Sequence, residues 1–136
     1  MVLFTSGCGK HQVRLTLEGS KVLNLNESGG PLPVVVRIYE LEKKDRFENA
    51  DFMTLWKNDK EILEKDLLER NEVTLFPGTS MTLDVKFSKQ TEFVAVMALF
   101  RKPQGNTWRE ILPVKPPKSS KMRIIVQERS LKLDVK

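Results

Sequence analysis

Apolar and polar side chains alternate with a period of two along most of this chain, and that pattern sets its fold class. Val13, Leu15 and Leu17 alternate with Arg14 and Thr16, and Met81, Leu83, Val85 and Phe87 alternate with Thr82, Asp84 and Lys86. Both runs read as half-buried strands, because successive side chains of an extended chain point to opposite faces. Pro33–Leu41 (PVVVRIYEL) is β-branched and bounded by proline, and Thr91–Arg101 (TEFVAVMALFR) is apolar on both faces. The first predicts a buried strand and the second a central strand covered on each side. Val73–Phe76, Trp108–Leu112, Met122–Val126 and Leu131–Val135 add shorter strands. About eight strands with turn residues between most of them predict an all-β fold, a two-layer antiparallel β-sandwich.

One segment, at about residues 47–69, departs from the alternation. Asn49 is a plausible helix N-cap, followed by Phe52, Leu55 and Trp56 at helical spacing. Asp59 is placed to cap a second short helix carrying Leu63 and Leu67 on one face, with Glu61 and Lys65 positioned to pair. Helices this short need tertiary support, so the Phe52/Trp56 stripe is expected to dock on the sandwich. Arg37 and Tyr39 lie on the strand face opposite Val34, Val36 and Ile38, and that face is expected to receive the insertion. The arginine would then pair with an acid near residues 45–51, and the tyrosine hydroxyl would reach a polar edge.

The longest connection between strong strands is Glu18–Leu32 (EGSKVLNLNESGGPL). A connection of this length in a small domain is functional or disordered more often than not. Its Val22, Leu23 and Leu25 are either a protein-contact feature, residues tucked onto the sandwich edge, or an edge strand over Val22–Asn26. Lys115–Ser120 (KPPKSS) is expected to be a stiffer spacer.

A length of 136 residues suits one domain with one core. One cysteine and one histidine are too few for a disulfide, a Cys-rich zinc site or a multi-histidine metal centre, and no metal or cofactor is expected. No apolar run approaches the roughly 18 residues of a membrane-spanning helix. Nucleophile elbows, phosphate-cradling glycine loops and helix-borne histidine pairs do not occur, and no enzymatic activity is expected. The net charge is +5, and it is uneven: residues 101–136 carry ten Lys/Arg against three Asp/Glu. That quarter is either a set of outward strand positions or a surface for an anionic polymer, in which case the chain would be a soluble periplasmic binding module acting through its basic C-terminal strands.

Residues 1–8 (MVLFTSGC) run from apolar to small to cysteine. Small residues before a cysteine resemble the end of a bacterial lipoprotein signal, although no basic n-region precedes them and the apolar stretch is short. Cys8 is therefore a lipidation site or an inert thiol near a terminus. Residues 1–8 would be a residual signal segment and 9–136 the folded domain. Three acyl chains on Cys8 would make attachment effectively irreversible.

The run Asn26–Leu41 (NESGGPLPVVVRIYEL) resembles the signature of the type VI secretion outer-membrane lipoprotein family (TssJ, or SciN). The likeness continues through Phe47, Ala50-Asp51-Phe52, Leu55, Leu67-Leu68, Pro77-Gly78, Ala95–Arg101 and Trp108-Arg109. This resemblance implies a transthyretin-like sandwich with a small helical insertion. It also implies a lipid anchor at Cys8 in the outer membrane, a domain facing the periplasm, and no nucleic acid or small-molecule substrate. Gly9 fits outer-membrane delivery, since aspartate there signals inner-membrane retention. The implied partner is the periplasmic C-terminal domain of TssM, with TssL in the larger complex. The implied contact is the loop between the first two strands, Lys21, Val22, Leu23, Asn24, Leu25, Asn26, Glu27 and Ser28.

Overall fold

Alternation puts Val13, Leu15 and Leu17 on one face of β1 (Gln12–Gly19), and all three are buried. The computed structural model, which describes residues 12–114 and 119–134, builds two four-stranded sheets from this rule. The remaining strands are β2 (Val34–Leu41), β3 (Leu67–Leu75), β4 (Ser80–Lys86), β5 (Phe93–Ala98), β6 (Arg109–Pro113), β7 (Ser119–Val126) and β8 (Leu131–Asp134). One sheet has the order β4-β1-β7-β8 and the other β3-β2-β5-β6. Their facing sides bury Leu15, Leu17, Val36, Ile38, Val96 and Ile124 in a shared core. As expected, this is a mainly β, two-layer sandwich of eight strands. Strand pairing is antiparallel apart from β1 with β7, which run parallel. Cys8, His11, Val135 and Lys115–Lys118 lie outside the described residues.

Between β2 and β3 lie α1 (Asp45–Asn49), α2 (Phe52–Leu63) and a 3₁₀ turn (Glu64–Asp66). They cover the outer face of the β2 sheet. Several local details differ from the sequence reading. Asn49 ends α1, and the N-cap of α2 is Asp51, whose carboxylate accepts from the Thr54 N–H at 2.8 Å. Helix α2 kinks at Asn58 (φ −137°, ψ 36°), one residue before Asp59. Leu67 is no longer helical and opens β3, and Lys65 sits in the 3₁₀ turn, off the helix face it would share with Glu61. Phe52 packs on the core and meets Trp108 edge-on at 5.2 Å. Trp56, expected beneath the helix, is instead 42% exposed.

α1 is held by one buried side chain and one clasp. Phe47 is fully buried and meets the Tyr39 ring at 5.2 Å, a contact worth roughly 2–3 kcal/mol in buried area. Arg109 donates from Nη1 to the carbonyls of Phe47 and Ala50, both at 2.7 Å, which satisfies carbonyls that the helix end leaves free. Its guanidinium also stacks 4.4 Å from the Trp108 ring centre.

The registers give the sandwich two distinct ends. Gln12 of β1 lies beside Lys86 and Ser119, so the chain enters the fold at that end. Gly19 lies beside Val126, and Glu18 beside Ser80, at the far end. Eight extended residues separate the two ends by roughly 25 Å.

Candidate functional site

The far end is made by the connections after β1, β3, β5 and β7. The longest of these, residues 20–33, contains the stretch that its length and apolar content single out. Its backbone is turn rather than strand, and its own side chains hold it in shape. Ser20 N–H donates to the Val126 carbonyl at 2.9 Å, extending the β1–β7 ladder into the loop. Leu23 is then driven fully into the core, where its N–H reaches Ser20 O and its carbonyl accepts from Leu32 N–H. Asn24 sits at φ 46°, a conformation asparagine tolerates better than most residues. Its amide clasps two segments: Nδ2 donates to Pro33 O at 3.0 Å, and Oδ1 accepts from the Arg101 N–H at 2.8 Å.

A second small ring follows. Asn26 Oδ1 accepts from the N–H groups of Ser28 and Gly30, each at 2.8 Å, while its own N–H donates to Gly30 O. Gly29 makes the turn at φ +83°, where a side chain would be strained. The Arg101 guanidinium then bonds Leu25 O and pairs with Glu27, both at 3.3 Å. The residues expected to contact a partner therefore divide. Lys21, Val22, Glu27 and Ser28 are exposed, and Leu25 and Asn26 are half-buried. Leu23 and Asn24 are buried, so they shape the loop and are not available as contacts. Of the alternatives for the apolar loop residues, Leu23 tucks into the core beside Gly19, Leu25 is half-buried, and Val22 stays exposed. The edge-strand alternative fails because residues 21–24 form a turn.

A polar cluster holds the helical layer on the sheet. Asp59 is buried, and its Oδ2 accepts from Arg37 at 3.1 Å, from the Tyr39 hydroxyl at 2.9 Å and from Arg70 at 2.7 Å. Arg37 Nη1 also reaches the carbonyls of Leu55 (3.3 Å) and Trp56 (3.0 Å), and its Nε pairs with Glu72 at 2.7 Å. The acids that meet Arg37 are thus Asp59 and Glu72, not one near residues 45–51. Burial opposes ionisation of Asp59, but hydrogen bonds from Arg70 and Tyr39, with the charges of Arg70 and Arg37, hold its carboxyl below the usual range. Burial pushes the Tyr39 hydroxyl well above its ordinary value, so it stays a donor. This cluster spends its donors and acceptors on itself, which suits fixing two layers together.

Glu40, on the opposite face of β2, is a buried carboxylate directly across the ladder from Glu69. Burial and the Glu69 charge raise its pKa, against a hydrogen bond with Thr91. It borders a cleft of ≈ 550 Å³ between the free edges of β3 and β4.

Three arginines of the basic C-terminal quarter are engaged internally. Arg101 holds the loop, Arg109 clasps α1, and Arg123 pairs with Glu18 and Asp134.

A family model for the type VI secretion lipoproteins (VasD, EvfM, TssJ) matches residues 11–129. The lipoprotein TssJ1 from Pseudomonas aeruginosa superposes with a TM-score of 0.88 at 28% identity, covering 93% of this chain and 97% of its own. A chain of a structure described as a type VI membrane complex gives 0.82 at 32% identity, covering 92% and 98%. A chain of the structure described as "T6SS protein TssM C-terminal domain (869-1107) from EAEC" gives 0.79 at 29% identity, covering 91% and 98%. Among curated proteins there is no match.

Proposed function

Because the chain belongs to the type VI secretion lipoprotein family, we propose that it is a tether without chemistry of its own, fixed at one end and gripping a neighbour at the other. Cys8 carries the lipid, the domain faces the periplasm from the outer membrane, and the far-end loop holds the periplasmic domain of TssM, with TssL in the larger assembly. The observation that carries this reading is the opposition of the two ends. Cys8 lies four residues before β1, and the pinned loop begins where β1 stops. An anchor and a grip so placed do not compete for space.

The EAEC structure supports the choice of partner. The segment named there, 869–1107, is longer than this entire chain, yet the matched chain is covered to 98%. The chain that resembles this one therefore accompanies the TssM segment in that structure. Preordering of the loop by Asn24, Asn26 and Arg101 also favours a binding role, since less entropy remains to be lost on contact.

Two measurements test the reading. The complete reading frame, expressed in a bacterium with a fatty-acid analogue, is expected to carry label that Cys8→Ser abolishes. Label that persists in that variant removes the anchor. The purified domain is expected to bind the TssM periplasmic segment in calorimetry, and absence of heat at micromolar concentration removes the partner.

A further inference from the structure

The far end offers more than the loop. The β3–β4 turn is bonded to the root of the loop: Gly78 N–H donates to the carbonyls of Gly19 (3.0 Å) and Ser20 (3.2 Å). Gly78 sits at φ +70°, beside the Lys21 side chain. Phe76, at the start of that turn, is 54% exposed, and Val22 in the loop is 51% exposed. A single exposed apolar side chain is ordinary, but these two share one end of the sandwich, one on the loop and one on the turn bonded to its root. Beyond Val22, a hollow of ≈ 490 Å³ opens toward Gln104 and the β7–β8 turn that carries Arg129.

The same end is also rich in cations. Lys21, Lys102 and Arg129 are exposed at this end, and none of them makes an ion pair among the described residues. Arg101, by contrast, is matched by Glu27. Three unmatched cations at the end that carries Val22 and Phe76, against one exposed acid, Glu128, that lines the same hollow, leave a local excess of positive charge, which selects and steers an acidic partner.

We infer that the grip is composite: Phe76 and Val22 form its apolar centre, Lys21, Lys102 and Arg129 its cationic rim, and the TssM surface that docks there is acidic around an apolar side chain. This rests on the reading that TssM is the partner, and it adds the chemistry of the contact and the residues outside the loop that make it. The Met53–Trp56 patch on α2, also exposed, lies on another face and has no part in it.

The test is binding kinetics of the domain with the TssM periplasmic segment at about 50 and about 300 mM salt. Wild type is expected to associate roughly tenfold more slowly at the higher salt. The pair Lys102→Glu and Arg129→Glu should slow association at low salt by about tenfold and flatten the salt dependence. Phe76→Ser should instead speed dissociation by about tenfold, while Trp56→Ala leaves both rates unchanged. These side chains are exposed, and unaltered melting temperatures confirm that each variant is folded. Wild-type binding that these changes leave intact, or that Trp56→Ala alone weakens, overturns the composite grip and spares the choice of partner. No binding by wild type overturns both.

Discussion

Asp59→Asn is the substitution whose outcome the structure constrains most tightly. The carboxylate has three donors on one oxygen, from Arg37, Tyr39 and Arg70, and its side chain is 7% exposed. Replacing it removes the charge that compensates Arg37, itself only 9% exposed, and offers Arg37 and Arg70 an amide where they met a carboxylate. Breaking a buried pair from one side costs roughly 3–5 kcal/mol. Arg37 keeps Glu72 and two carbonyls, so a loss of about 3 kcal/mol is expected, or about 10 °C in melting temperature for a domain of this size. Tyr39→Phe removes one donor and should cost about 1–2 kcal/mol, and the double variant should fall short of the sum by about 1 kcal/mol. Denaturant titration of the four proteins gives these values. The pH dependence supplies an independent check. With its pKa depressed on folding, Asp59 contributes stability that is present above its unfolded value and lost as pH falls toward the folded one. Asp59→Asn should therefore be less stable than wild type near neutrality and converge with it in acid. A variant within 1 kcal/mol of wild type at pH 7, or one that keeps the same deficit at every pH, would refute the claim that this carboxylate locks the helical layer to the sheet.

The Glu40 environment predicts the opposite sign. Its pKa is raised on folding, so its charged form weakens the fold as pH climbs through that range, and Glu40→Gln should stabilise by about 0.5–1 kcal/mol at pH 7 and by nothing below pH about 4. A thermal melt at the two pH values checks this. Asn24→Ala removes both clasps of the loop; about 2 kcal/mol of stability and the exchange protection of the Arg101 amide should be lost together. Unchanged protection there would show that the loop is held by something else. A Cβ at Gly19 would lie 2.7 Å from the Phe76 carbonyl oxygen, so Gly19→Ala must displace backbone, and urea unfolding should register a loss of about 2 kcal/mol.

The strands were legible because each has one face in a common core. Alternation in β1 and β4 follows directly from that burial; β5 is apolar throughout because its outer face is covered too, and β2 carries the β-branched run Val34–Val36 before its buried Arg37 and Glu40. β3 was only half visible for the same reason. Its residues Glu69 to Glu72 line the open cleft or serve Asp59 and Arg37, so they are polar on both faces and carry no period. Trp56 misled because helical spacing places it beside Phe52, where the two rings do stand 6.2 Å apart, but does not fix how deep each side chain sits, and Trp56 is left 42% exposed. The Asp59 cluster joins residues separated by about twenty positions or by eleven, a pairing no local spacing encodes. In the loop, length and apolar content singled out the segment on which the proposed grip rests. Which of its residues face solvent depends on contacts with Arg101 and the β3–β4 turn, and these lie far along the chain.

β1 has a mechanical corollary. A pull applied between the segment before Gln12 and the loop after Gly19 acts on the two termini of one strand, flanked on both sides by hydrogen-bonded neighbours. An extended strand is already near the full contour length of its residues, so it has almost no slack to give up. The load runs through covalent backbone from one end to the other, and the two sheets ride alongside that line of tension without being pried apart.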